Sequence, residues 1–171
     1  NFFIEELKKF DQENLFYNVE IPLINEIIDM QFSGINLDLN LLGNMSNKLE
    51  IDLKEIENTI HNIYPEKEFN LNSGKQLSEI LVENLNAPPI KKTKTGISVD
   101  AEVLEKYSKD NDLDERVQQI SSGILKYREL AKLKSTYVDS LPSLVSKKTK
   151  KIHTTFNQIG TSTGRLSSQN P

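Results

Sequence analysis

The stretch LNLLGNMSNKLEIDLKEIENTIHNI, residues 39–63, decides the fold class. Its apolar residues Leu39, Leu42, Met45, Leu49, Leu53, Ile56, Ile60 and Ile63 recur at spacings of three and four. That period places them on one stripe of an α-helix of about seven turns. Asp38 stands where an N-cap belongs, and Pro65 bars continuation beyond Tyr64. Such a stripe suits a coiled coil or the spine of a helical domain, and with so few heptads the spine is the preferred reading.

Towards the N-terminus, Phe2 to Phe10 predicts a short amphipathic helix followed by a polar break. A second helix is expected to start with Pro22 in its first turn, where a missing N–H costs nothing, and to stop at Ser33-Gly34. Towards the C-terminus, Ser73 and Gln76 match a capping box, in which side chains and backbone donors satisfy each other, ahead of Leu77, Ile80, Leu81 and Leu85. The same helix start also offers free N–H groups that suit a phosphate.

Residues 86–98 read as a cationic, hydroxyl-bearing loop, with Lys91, Lys92, Lys94, Thr93, Thr95 and Ser98 suited to a sugar-phosphate backbone. Ser98 is expected to cap the next helix, with Asp100 and Glu102 in its first turn. A long helix is expected from Asp112 to Val138, burying Val117, Ile120, Ile124, Tyr127, Leu130 or Ala131, and Tyr137. Near its end Lys132, Ser135 and Thr136 share one cationic, hydroxyl-bearing face, and Lys134 points elsewhere. After the basic turn Lys147-Lys148-Thr149-Lys150-Lys151 the period becomes two over residues 152–159. Gly160 to Gly164 then reads as a hairpin connection and Arg165-Leu166-Ser167-Ser168 as the return strand. A lone hairpin is marginal in water, so it reads as the edge of a larger sheet.

Composition bounds the chemistry. The 171 residues suit one domain, or one with part of a second. The absence of cysteine excludes a disulfide scaffold or thiolate zinc site and fits a reducing compartment. No apolar run approaches the roughly 18 residues of a membrane span. The start at Asn1 shows neither an initiator Met nor a signal pattern, and reads as the interior of a longer protein. The net charge of −4 hides an asymmetry: residues 1–70 carry 5 basic and 14 acidic side chains, and residues 71–171 carry 16 and 11. From 126 onward nine basic residues face only Glu129 and Asp139. That layout fits a local grip on a polyanion, but charge alone favours a solvated Lys-rich surface.

Several runs carry one resemblance. Tyr127-Arg128-Glu129-Leu130, Lys132-Leu133-Lys134-Ser135-Thr136-Tyr137, His153-Thr154-Thr155-Phe156-Asn157-Gln158 and Thr163-Gly164-Arg165-Leu166-Ser167-Ser168 closely resemble family A (polymerase I-like) DNA polymerases. Phe69-Asn70-Leu71-Asn72-Ser73, Lys92-Thr93-Lys94-Thr95-Gly96 and Glu20-Ile21-Pro22-Leu23 resemble the thumb region of the same enzymes, in consistent order over about 20–171.

The resemblance implies a mainly α fold: a helical thumb domain with long antiparallel helices, followed by a short β-hairpin belonging to a larger palm sheet. Residues 1–20 would end a preceding exonuclease-like domain or form a linker helix, 21–146 would be the thumb, and 147–171 the first palm strands. DNA contacts are implied for Asn72, Ser73 and Lys75, although Gly74 replaces a bulkier residue of some relatives. They are implied also for Lys92, Lys94 and Ser98 at the thumb tip. On the minor-groove side they fall to Lys132, Lys134, Ser135 and Thr136, and near the primer terminus to Asn157, Gln158 and Arg165. The implied partner is primer-template DNA, with deoxynucleoside triphosphates and Mg2+ in the intact enzyme. A monomer, no membrane, and a bacterial cytoplasm or an organelle complete the expectation.

No catalytic residue is expected in the chain itself. Asp100, Asp112, Asp114 and Asp139 sit in no metal-sharing motif, and His61 and His153 are too few and too far apart for metal or nucleophile chemistry. The rival readings are a stand-alone helical interaction module using the 39–63 stripe, and an inactive helical domain of a nuclease or primase.

Overall fold

The computed structural model describes residues 2–93 and 96–170. It is mainly helical and divides into two compact units, Asn40–Asp139 and the pair of segments Asn1–Leu39 and Ser140–Pro171.

The continuous unit begins with the expected long helix, α4 (Leu39–Ile63), the fourth helix of the chain. Leu49 and Ile60 of its stripe are buried, Ile60 in the core of the unit. Ile56 and Ile63 pack partly buried against the same core, and Leu39 and Met45 remain exposed. The core then gathers Tyr64, Phe69 and Leu71, the short helix α5 (Gly74–Ser78), and two helices that pack on each other, α6 (Ala101–Lys109) and α7 (Glu115–Lys132). Leu77, Leu81, Leu104, Val117, Ile120 and Ile124 are fully buried. Each such side chain contributes about 1.5–3 kcal/mol relative to exposure. Gly123 lets α7 approach the end of α4, since a Cβ there would lie 2.9 Å from Ile60 Cδ1.

Several expectations change in detail. Residues 86–98 are not wholly loop: β1 (Lys92–Thr93) and β2 (Gly96–Ile97) pair antiparallel, Lys92 opposite Ile97. The helix after them is capped by Asp100, whose carboxylate accepts the Val103 N–H at 3.1 Å, and Ser98 lies outside it. The capping box at Ser73 is half formed. Ser73 Oγ accepts the Gln76 N–H, but the Ser73 N–H already donates to the Asn70 carbonyl. Gln76 Oε1 therefore reaches further back, to the Asn70 N–H at 2.7 Å.

The long helix starts at Glu115 under an Asp114 cap rather than at Asp112, because Asp110 turns the chain by accepting the Asp112 and Leu113 N–H groups. It runs on from α7 through a wide turn, Leu133–Val138, with an i→i+5 bond from the Asp139 N–H to the Lys134 carbonyl. The last turn buries Val138 and leaves Tyr137 half exposed, contrary to the expected core list.

The split unit holds α1 (Phe2–Lys9), α2 (Glu13–Leu15) and α3 (Ile21–Ser33). α3 has Pro22 in its first turn, as expected, and helical backbone also precedes it, a wide turn, Phe16–Glu20, joining α2 to α3. Pro22 explains the widening: it offers no N–H to the Asn18 carbonyl and its ring crowds that carbonyl, so the ladder loosens to i→i+5 just ahead of it. Gly34 ends α3 at φ 62° and ψ 177°, a conformation open essentially to glycine alone. Ile35 and Ile152 then exchange two backbone hydrogen bonds.

The C-terminal hairpin is shorter than its alternating pattern. β3 (Thr155–Asn157) pairs antiparallel with β4 (Ser167–Gln169), Phe156 opposite Ser168. Asn157 Oδ1 takes the Ile159 N–H, which ends the ladder and leaves Arg165 and Leu166 in the connection rather than the strand. Among the described residues no helix is long and apolar enough to cross a membrane.

Candidate nucleic-acid interface

Three of the expected contact residues converge in the continuous unit. Asn72, Lys75 and Ser98 line one groove of about 510 Å³ together with Gly74, Ser78, Asp100 and Arg128. The turn before α5 supplies Asn72, whose N–H donates to Asn70 Oδ1 at 2.8 Å. The first turn of α5 supplies Lys75, exposed and without an ion pair among the described residues. Ser98 is buried, and its Oγ accepts the Asp100 N–H at 3.3 Å. Ser73 beside them is occupied as the cap of α5.

Arg128 is the member that sequence reasoning did not single out. Its Nη1 donates to the Val99 carbonyl at 2.8 Å, from α7 to a residue 29 positions earlier. Burial lowers its pKa from the usual guanidinium value, and the nearby Asp100 charge opposes that effect. It remains a cation at neutral pH. The run Tyr127-Arg128-Glu129-Leu130 held the signal, but helix spacing cannot disclose a partner so distant in sequence.

Asp100 would be an unwelcome charge in a phosphate-binding groove were it bare. Lys91 Nζ sits 2.7 Å from its Oδ2, and that hydrogen bond, aided by the Val103 and Ser98 bonds, holds the carboxyl at a pKa of about 2. Lys92, on β1, is exposed. Lys94 lies outside the described residues.

The end of α7 presents its polar residues unequally. Lys132 is exposed and makes no ion pair among the described residues. Lys134 is tied down, its Nζ 2.7 Å from Asp139 Oδ2, while Ser46 Oγ donates to Asp139 Oδ1 at 2.7 Å. Those two hydrogen bonds lower the Asp139 pKa, Lys134 contributing most. Ser135 Oγ donates back to the Ala131 carbonyl at 2.8 Å, and Thr136 is exposed.

In the split unit Gln158 Nε2 donates to the Glu20 carbonyl at 3.1 Å and to its carboxylate at 2.9 Å, so this amide is engaged within the fold. Asn157 holds the turn to Ile159. Arg165 is exposed, and its guanidinium has no partner among the described residues.

Comparison with known proteins gives one consistent result. A sequence model described as DNA polymerase family A matches residues 39–171. DNA polymerase I of Bacillus subtilis (strain 168) is 43% identical over 168 residues, covering 98% of this chain and 18% of that protein. DNA polymerase I of Bacillus caldotenax is 41% identical over 169 residues, covering 99% of this chain and 18% of that protein. The polymerase domain of Pol1 from M. smegmatis, solved in complex with DNA primer-template and dNTP, is similar with a TM-score of 0.78 and 32% identity. That similarity covers 98% of this chain and 28% of that one. The chain thus spans under a fifth of these two curated relatives.

Proposed function

The chain belongs to DNA polymerase family A, and from that premise we propose that it grips primer-template duplex DNA during template-directed nucleotidyl transfer. The reading rests on one observation above others: Asn72, Lys75 and Ser98 meet Arg128 in a single groove where Asp100, the only acid among the described lining residues, is paired with Lys91. Amide, hydroxyl and cationic groups in that combination suit phosphate and sugar oxygens, whose positions do not depend on base sequence. Lys132 and Arg165 add exposed cations, and Arg165 suits the minor-groove acceptors common to all base pairs. Lys134, Asn157 and Gln158 belong to the proposed contact set too, after exchange of their present partners.

In this reading residues 21–146 are the thumb, 147–171 the first palm strands, and 1–20 the end of a preceding domain or a linker. The intact enzyme is a monomeric DNA-directed DNA polymerase of replication or repair, in a bacterial cytoplasm or an organelle, using deoxynucleoside triphosphates and Mg2+. Among the described residues no three His, Asp or Glu side chains gather where an ion could be held. We assign phosphoryl transfer to the part of the enzyme that this chain does not span, and binding to this chain. Burial of Leu49 and Ile60 within the chain weighs against the 39–63 stripe as a partner-binding surface.

Fluorescence anisotropy with a primer-template duplex tests the reading. Binding should be independent of sequence, weaken as salt rises, and weaken again in Lys132→Ala and Arg165→Ala. No binding at low salt would sink it, and template-directed primer extension by the chain alone would refute the division of labour.

A further inference from the structure

The basic turn at 146–151 is used by none of the contacts above. Its backbone is locked: the Lys150 N–H donates to the Ser146 carbonyl at 2.8 Å and the Ser146 N–H to the Lys151 carbonyl at 2.9 Å. Ser146 Oγ accepts from the Lys148 and Thr149 N–H groups, and Lys150 closes the turn at φ 60°. The turn is also pinned to the C-terminal end of α3. Lys151 Nζ donates to the Ser33 carbonyl at 2.8 Å, a favourable place for a cation against the helix dipole. His153 bridges the Gln31 carbonyl, 2.8 Å from Nδ1, and Thr149 Oγ1, 2.7 Å from Nε2.

These bonds employ Lys151 and Thr149 and leave three neighbours over. Lys147, Lys148 and Lys150 are exposed, and their ammonium groups have no partner among the described residues. No Asp or Glu follows Asp139 in the chain, so no carboxylate of residues 140–171 can neutralise them. Three point charges on a pre-ordered turn suit an anion that is repetitive and tolerant of exact placement, since little freedom is lost on binding. A sugar-phosphate backbone has that character.

We propose that the Ser146–Lys151 turn is an additional DNA-backbone contact, with Lys147, Lys148 and Lys150 facing phosphates. This rests on the reading of the chain as a DNA grip and extends it to an element outside the groove and the Arg165 hairpin. The turn reads no sequence and adds purely salt-sensitive affinity.

The test measures anisotropy of the chain with a blunt duplex and with a primer-template carrying a single-stranded 5′ overhang, each over a salt series. Joint replacement of Lys147, Lys148 and Lys150 by Gln should flatten the plot of log affinity against log salt by about two to three units with at least one of the two DNAs. The DNA affected tells whether duplex or single-strand phosphates are held. Joint replacement of Lys8, Lys48 and Lys126 by Gln removes equal charge elsewhere and should leave the slope near that of the parent. Replacement of the three turn lysines by Arg should preserve it. An unchanged slope in the turn variant with both DNAs, or equal flattening in the charge control, overturns the proposal. Failure of the parent chain to bind either DNA at low salt is a different result, and overturns the underlying grip as well.

Discussion

Arg128 Nη1 donates to the carbonyl of Val99 at 2.8 Å, fixing α7 to the passage that carries Ser98 and Asp100. The guanidinium thereby shapes the wall of the groove as well as charging it. Arg128→Met should leave the Val99 carbonyl unpaired and cost about 1–3 kcal/mol in chemical denaturation. Arg128→Lys keeps the charge without the planar fork, and should fall between parent and Met variant in both stability and duplex affinity.

Asp100 links the groove to pH. Its folded pKa of about 2 lies below the ordinary value of 3.8, first because of Lys91 and then because of the Val103 N–H. A depressed carboxyl stabilises the fold fully above its unfolded pKa, and that contribution is lost as pH falls through the folded one. Asp100→Asn keeps a capping oxygen for Val103 but cannot titrate. Its stability should vary less between about pH 4 and 2 than that of the parent. Asp100→Ala should be less stable at every pH, as acid-titrated circular dichroism can read.

Asp139 holds Lys134, and releasing it should be visible in DNA binding. Asp139→Asn frees the ammonium for phosphate and should tighten duplex binding at low salt, steepening the salt slope by about one unit. In the parent, Lys134→Ala should then matter less than Lys132→Ala. Equal losses from the two alanine variants would show that the Asp139 pairing exchanges freely with DNA.

Gly34 should resist substitution. Its φ of 62° with ψ of 177° disfavours any side chain, and a Cβ would lie 2.7 Å from His153 Cε1 and 2.9 Å from the Ile152 carbonyl. Gly34→Ala should cost about 1–3 kcal/mol through the backbone alone. Loss of protection at the Ile35 and Ile152 amides in hydrogen exchange would mark where the damage falls.

The legible parts of the sequence were those governed by local period and by ordered motifs. The 39–63 stripe gave its helix directly, because apolar spacing and flanking breakers are both short-range. The caps were legible in kind but displaced: Asp100 took the role expected of Ser98, since either residue suits a cap and the tertiary position of Val103 decides. Pro22 marked the first turn of α3, but the helical turns ahead of it were hidden, because a proline that opens a helix and one tolerated by a wide turn look alike in sequence. The groove was half legible. Asn72, Lys75 and Ser98 came from local chemistry, and Arg128 entered only through a bond spanning 29 residues. Pairing of Lys134 with Asp139, and of Gln158 with Glu20, was hidden because nothing in either run marks its partner.

The split unit has a bearing on how the chain is made. Its ties join Gln31 to His153 and Glu20 to Gln158, separations of 122 and 138 residues, whereas residues 40–139 close on themselves. Loops of that length carry a large closure entropy, and contacts of that range form late. On a ribosome the continuous unit can emerge and fold while the residues that receive Gln31 and Glu20 are still held in the exit tunnel. Pulse-labelled refolding should protect α6 and α7 amides before those flanking Ile35, and simultaneous protection would argue against this order. Glu20 and Gln31 would thus emerge before residues 40–139 and yet find their partners after that unit has formed.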